Sequence, residues 1–415
     1  MKQQMLNWIN SFSICCFLDN HNYATGYHSY ECLAGAGAVN IFKGPAGNIL
    51  SPFSLFEKKT ADWLFGHVSF DLKKETEGIL SSLPEFIGFD DLLFFVPEYV
   101  LILKNNIIEI GSLAEDHEQV FKTILHYQPQ PSSEYSLPVI KQGVSKEKYI
   151  QNVLQLQQRI LRGDCYEINY CIDFYAGDCL IDPLRVYNAL NKFSPNPFSC
   201  FYKNDAKYLL CASPERYLKK QDNKIISQPI KGTAPREITD IQKDVVNREN
   251  LRISEKDKSE NVMVVDLVRN DLAKICAEGS VMVEELFGIY TFPQVFQMIS
   301  TISGILKDNI SAADIIRTTF PMGSMTGAPK HKVLQLIEEF ERTKRGLFSG
   351  AVGYISPSGN FDFNVVIRSI LYNASRQYLS YYVGSGITFY SNAEDEYEEC
   401  LLKAKAIKRV LDCRY

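Results

Sequence analysis

Residues Val383–Lys405 read VGSGITFYSNAEDEYEECLLKAK, and they set the pattern of the chain. A run rich in aromatic and β-branched residues (Tyr378–Val383) enters a glycine-rich turn. Ser391 and Asn392 then offer N-caps to an acidic helix over Glu394–Leu411. On that helix Glu396, Glu399 and Lys403 follow i, i+3, i+7 and form one stripe. Cys400, Ala404, Ile407 and Leu411 form an apolar stripe beside it, so the acids border the buried side. Acids in a first helical turn also suit the helix dipole, an explanation that serves Glu394 and Glu396 better than Glu399. Working outward, Tyr208–Ala212, Ala351–Ile355 and Val365–Leu371 read as strands, and Ser145–Leu161 and Lys256–Cys276 as helices. Periodicity by itself predicts a mixed α/β enzyme.

The chain has 415 residues, 46% of them hydrophobic, enough for a large core. Its 44 basic and 49 acidic residues give a net charge of −5, which argues against non-specific nucleic-acid binding. Eleven scattered cysteines show no zinc-ligand spacing and fit a reduced compartment. No apolar run reaches the ~18 residues of a membrane span, and the N-terminus lacks signal-peptide character, so the expected location is cytoplasmic. Tyr127–Ser136 (YQPQPSSEYS) reads as a linker or surface connection. It divides an N-terminal region, 1–135, with short apolar runs such as Leu92–Val96, from a region 145–411 that carries all the candidate chemistry.

Three more clusters join the opening one. Gln228–Arg236, QPIKGTAPR, places Lys231 on a turn made rigid by two prolines; a fixed, pocketed lysine can become a nucleophile or base, while an isolated one is usually a surface residue. In Asp257–Asp271, DKSENVMVVDLVRND, Asp257 and Glu260 share one helical face, which a solvated acidic surface would explain equally well. Phe320–Lys330, FPMGSMTGAPK, offers glycines, Ser324 and Thr326 ahead of a helix, a weak anion-binding signal without P-loop spacing. Two acidic pairs from separate helices could clamp one hard divalent cation such as Mg2+.

Taken in order, PIKGTAPR, SENVMVVDLVRND, FPMGSMTGAPK, GAVGYI, VIRSI and VGSG…EDEYEECLLKAKA resemble the chorismate-utilising enzymes. That family includes anthranilate, aminodeoxychorismate, isochorismate and salicylate synthases. The resemblance runs from about Ser145 to Arg409. It implies an α/β fold of two large, mainly antiparallel sheets packed as a sandwich with helices outside. It also implies that Glu260 and Glu399 hold Mg2+, with Asp257 and Glu396 behind them binding the metal's waters. Arg368 and Lys403 would face the substrate carboxylates, and Gly384, Gly386 and Thr326 would line the same pockets. Glu215, in SPERY, would protonate the departing C4 hydroxyl, which requires a carboxyl that burial keeps partly protonated.

Two positions separate the subfamilies. Where isochorismate and salicylate synthases use a water-activating lysine, the segment GDCYEIN places Glu167, which can accept a proton from ammonium or orient ammonia. Where ortho-aminating members read P-I-A-G-T, this chain reads P-I-K-G-T, as the para-aminating members do. The resemblance therefore implies covalent catalysis by Lys231 at chorismate C2, amination at C4, and a depressed Lys231 pKa with Mg2+ contributing. Gln297 and Phe348 replace a His and a Tyr of many relatives. No G-x-C-x-G glutaminase elbow occurs, so a separate glutamine amidotransferase subunit is the expected ammonia source. An ortho-aminating enzyme, or a chorismate-binding protein without turnover, remains the alternative. FLDN at Phe17–Asn20 is a faint echo of the family's effector segment, with a structural role the simpler reading.

Overall fold

The computed structural model describes residues 1–23, 27–114, 116–129 and 136–412, so most of the linker-like stretch 127–136 lies outside the described residues. Two sheets, of eleven and ten strands among the described residues, fill the middle, and every strand pairing in them is antiparallel. The larger sheet is buried on both faces. Along Ile14–Asp19, Cys16 points into the core between the sheets, while Cys15 and Phe17 face the core under the outer helices; Leu209, Leu210 and Cys211 alternate in the same way. This is why such strands read as continuous apolar runs rather than as alternating ones.

Residues 1–135 and 145–411 are interleaved. Ile14–Asp19 pairs with Phe198–Asn204 in one sheet, and Leu64–Val68 pairs with Ala351–Ile355 in the other. The helices over 146–161, 255–275 and 393–411 form where their spacing predicts. Ser145, Ser254 and Asn392 cap them, each side chain accepting from backbone N–H groups of the first turn.

Two local expectations are corrected. Val365–Leu371 is not one strand, because the chain changes sheets there. Phe361–Asn364 belongs to one sheet and Ser369–Asn373 to the other, and Arg368 at the crossing adopts a left-handed φ of 51°. Lys231 does not lie on a turn. It belongs to the strand Ile230–Pro235, whose pairing with Val295–Ile305 shifts register between Ile230 and Thr233. Gly232, at φ +92°, makes that bulge, and a Cβ there would press against Asp257 at 3.0 Å.

A buried ion pair ties the layers together beneath the site. The Arg345 guanidinium donates to both oxygens of Glu341, at 2.6 and 3.0 Å, and to the carbonyls of Met325 and Asn169. Both side chains are buried, so Arg345→Met would strand the Glu341 carboxylate. A loss of about 3–5 kcal/mol in chemical denaturation is expected, and a loss below ~1 kcal/mol would show the pair to be dispensable.

Candidate active site

The two sheets and two helices open a cleft of about 510 Å³. The strand Tyr378–Ile387 lays Gly384 and Gly386 opposite Cys171 and Asn169 of the strand Glu167–Ala176. The helix Glu255–Ile275 delivers Asp257 and Glu260, and the helix Ala393–Leu411 delivers Glu396, Glu399 and Lys403. Glu215, Lys231, Asp257, Glu260, Arg368, Gly384, Gly386, Glu399 and Lys403 line this one space, with Gln297 and Phe348. These residues meet there from strands and helices that are distant in sequence.

At its centre Lys231 Nζ donates to Glu167 Oε1 at 2.5 Å. Glu167 is buried behind the cleft wall, and its Oε2 has no hydrogen-bond partner. Gly386 makes room for the pair. A Cβ at that position would stand 2.9 Å from Glu167 Oε1, 3.1 Å from Lys231 Nζ and 3.3 Å from Glu260 Oε2. Gly386→Ala is therefore expected to push these three groups apart. Turnover should fall by roughly 100-fold, as misplacement by about 1 Å can cost, while the melting temperature changes little. Unaltered kinetics would mean that the cluster tolerates the displacement.

The charge on Lys231 is opposite to the sequence-based expectation. Burial works to lower its pKa, but Glu167, Glu260 and Glu215 together outweigh burial, and the pKa is raised. The lysine is an ammonium in this arrangement, because three carboxylates surround it. Glu215 behaves as expected. Burial pushes its pKa up to about 7, against the pull of a Ser324 hydrogen bond and the Lys231 charge. Burial likewise raises Glu260 to about 7, with Lys231 opposing the shift and Glu167 adding to it. Burial also raises Asp257, whereas Lys403, donating at 2.7 Å, holds Glu399 below its ordinary value.

Glu260 Oε1 is buried without a hydrogen-bond partner. Glu396 is buried with one oxygen taking the Ser385 hydroxyl and the other the Lys256 ammonium at 2.8 Å. Among the described residues no three His, Cys, Asp or Glu side chains converge closely enough to hold a metal ion by themselves. Two carboxylates with open oxygens do suit an ion that completes its shell from water and substrate. Arg368 makes no side-chain hydrogen bond or ion pair with the described residues, so its fork is free for an anion; burial lowers its pKa and the Glu399 charge works against that. Lys403 Nζ also donates to the Gly384 carbonyl at 2.9 Å.

Thr326 departs from its expected place. It is fully buried, its hydroxyl donates to the Met322 carbonyl, and it does not face the cleft. Ser324, two residues earlier, lines the cleft instead. The Phe348 ring stacks on Tyr382 at 5.0 Å, and the Tyr382 hydroxyl donates to the Lys344 carbonyl, so an apolar face meets the cleft there. Sequence reasoning missed Lys256, although its i, i+4 relation to Glu260 put it on the acidic face.

Residues 38–409 match the family described as chorismate binding enzyme. The chain belongs to that family. Among relatives of this chorismate-binding enzyme, aminodeoxychorismate synthase component 1 of Klebsiella aerogenes is 33% identical over 84% of this chain and 76% of its own length. Anthranilate synthase component 1 of Saccharolobus solfataricus is 32% identical over 91% of this chain and 88% of its own. The fold is that of anthranilate synthase component I from Streptococcus pneumoniae, with a TM-score of 0.80 at 24% identity over 91% and 92% of the two chains. Among the described residues no helix is long and apolar enough to cross a membrane.

Proposed function

We propose that this chorismate-utilising enzyme aminates C4 of chorismate, giving 4-amino-4-deoxychorismate through a covalent adduct of Lys231. The observation that carries the reading is the placement of Lys231, aimed by a bulge into the cleft between a proton acceptor, Glu167, and a proton donor, Glu215. Glu167 takes the ammonium proton along the 2.5 Å bond, leaving a neutral amine. The amine adds at C2 as the C4–O bond breaks, and Glu215 protonates the oxygen so that it leaves as water. Ammonia then adds at C4, the lysine departs from C2, and two allylic displacements replace one direct substitution. A lysine at this position supports para over ortho amination, and likeness to aminodeoxychorismate synthase component 1 supports it further.

The donor set fits Mg2+: Glu260 and Glu399 would hold it, with Asp257 and Glu396 behind them, and the unpartnered Glu260 oxygen is the observation in favour. When bound, Mg2+ supplies charge neutralisation for a substrate carboxylate. Arg368 and Lys403 orient the substrate's carboxylates, Lys403 from the same helix as Glu399. Ammonia is proposed to come from a separate glutamine amidotransferase subunit. The test is incubation with chorismate, Mg2+ and ammonium chloride, with products separated by chromatography and identified by mass. 4-Amino-4-deoxychorismate is the expected product; fluorescent anthranilate would overturn the regiochemistry, and unreacted chorismate would overturn the activity.

A further inference from the structure

The side chain of Lys256 is 48% exposed, yet its ammonium turns inward rather than to water. It lies in the first turn of the helix Glu255–Ile275, one turn before Glu260. Nζ stands 2.8 Å from Glu396 Oε1 and 3.9 Å from Glu260 Oε1. Glu396 is 1% exposed and Glu260 8%, and that same Glu260 oxygen has no hydrogen-bond partner. Glu399 is answered by Lys403, and Glu260 is faced from within by Lys231. The ammonium of Lys256 thus balances Glu396 and the outer oxygen of Glu260.

We propose that Lys256 is a tethered counter-ion: it holds the acidic cluster together while no divalent cation is present, and Mg2+ must displace it to bind. This inference rests on the reading of Glu260 and Glu399 as the metal's ligands, and it adds a competitor that the chain itself carries. Buried like charges repel one another, so a metal-free cluster of Asp257, Glu260, Glu396 and Glu399 needs a cation. A lysine ammonium is strongly hydrated and mounted on a flexible stem, so it returns to water at small cost when a doubly charged ion arrives. Anything that stabilises only the metal-free state weakens apparent metal affinity by the same factor.

Calorimetric titration of MgCl2 into the full-length protein, without chorismate, tests this with Lys256→Met and Lys256→Arg beside the wild type. The Met variant is expected to bind Mg2+ roughly 3- to 10-fold more tightly, the size of a partly exposed charge pair, and the Arg variant to stay near wild type. Metal-free Lys256→Met should also melt below wild type, with the gap closing at saturating Mg2+. Unchanged or weaker Mg2+ affinity in the Met variant would overturn the proposal, and would make Lys256 either a substrate contact or an ordinary surface lysine. A wild-type protein that gives neither heat nor thermal stabilisation with Mg2+ would instead remove the metal reading, and this inference with it.

Discussion

Replacing Lys231 by alanine is expected to lower kcat/KM for chorismate amination by roughly 1,000-fold or more, the scale on which covalent catalysis is lost when its nucleophile is removed. The lysine lies on a bulge of a strand paired on one side only, so the fold does not depend on it. Its removal does leave both Glu167 oxygens buried without a partner, and Lys231→Gln controls for that by keeping an N–H donor while removing the nucleophile. Both variants should retain the wild-type circular dichroism and bind chorismate, and neither should turn it over. Product formation within tenfold of wild type by either one would mean that ammonia attacks chorismate directly. Lys231 would then be a charge in the wall of the cleft.

The second large effect concerns Glu215. Its folded pKa of about 7 lies above the ordinary glutamic acid value of ~4.3. The proton it donates in the proposed reaction is therefore present below pH 7 and lost as pH rises through 7. The same sign holds for stability: the contribution of this raised carboxyl is complete below ~4.3 and disappears as pH passes 7. Glu260, also near 7, must lose its proton to hold a cation. The proposed mechanism predicts a bell-shaped profile of kcat/KM, with Glu260 on the acid limb and Glu215 on the alkaline one. Raising Mg2+ should shift the acid limb to lower pH and leave the alkaline limb in place. Glu215→Gln should cost roughly 100- to 10,000-fold in kcat and abolish the alkaline limb in whatever activity remains. An alkaline limb that survives the substitution would assign the proton donor elsewhere.

Much of this architecture is legible in the sequence because it depends on neighbours in the chain. Asn392 announces its helix, and Asp257/Glu260 and Glu396/Glu399 lie on single helical faces by spacing alone. The apolar run Tyr208–Ala212 reads as a strand and lies within the strand Lys207–Ser213, which is buried on both faces. The motif series identified the family, and with it the sandwich of two antiparallel sheets.

What no local pattern carried was decided by contacts between distant segments. Val365–Leu371 has the composition of one strand, but exchange between sheets breaks it at Arg368 and turns that side chain toward the cleft. Thr326 reads as a pocket hydroxyl, yet its own loop captures it through the Met322 carbonyl. The charge state of Lys231 shows the limit most clearly. Burial, which the motif implied, favours the neutral amine, but Glu167, Glu260 and Glu215 arrive from three separate segments and hold the proton in place. Caps, periodicity and motif order act over a few residues, so the residue types of the site and the two helices that carry its acids can be read from the chain order. Only the tertiary structure decided which charges face one another, because Coulomb interactions in a buried cleft depend on ångström separations between segments that the chain order does not encode.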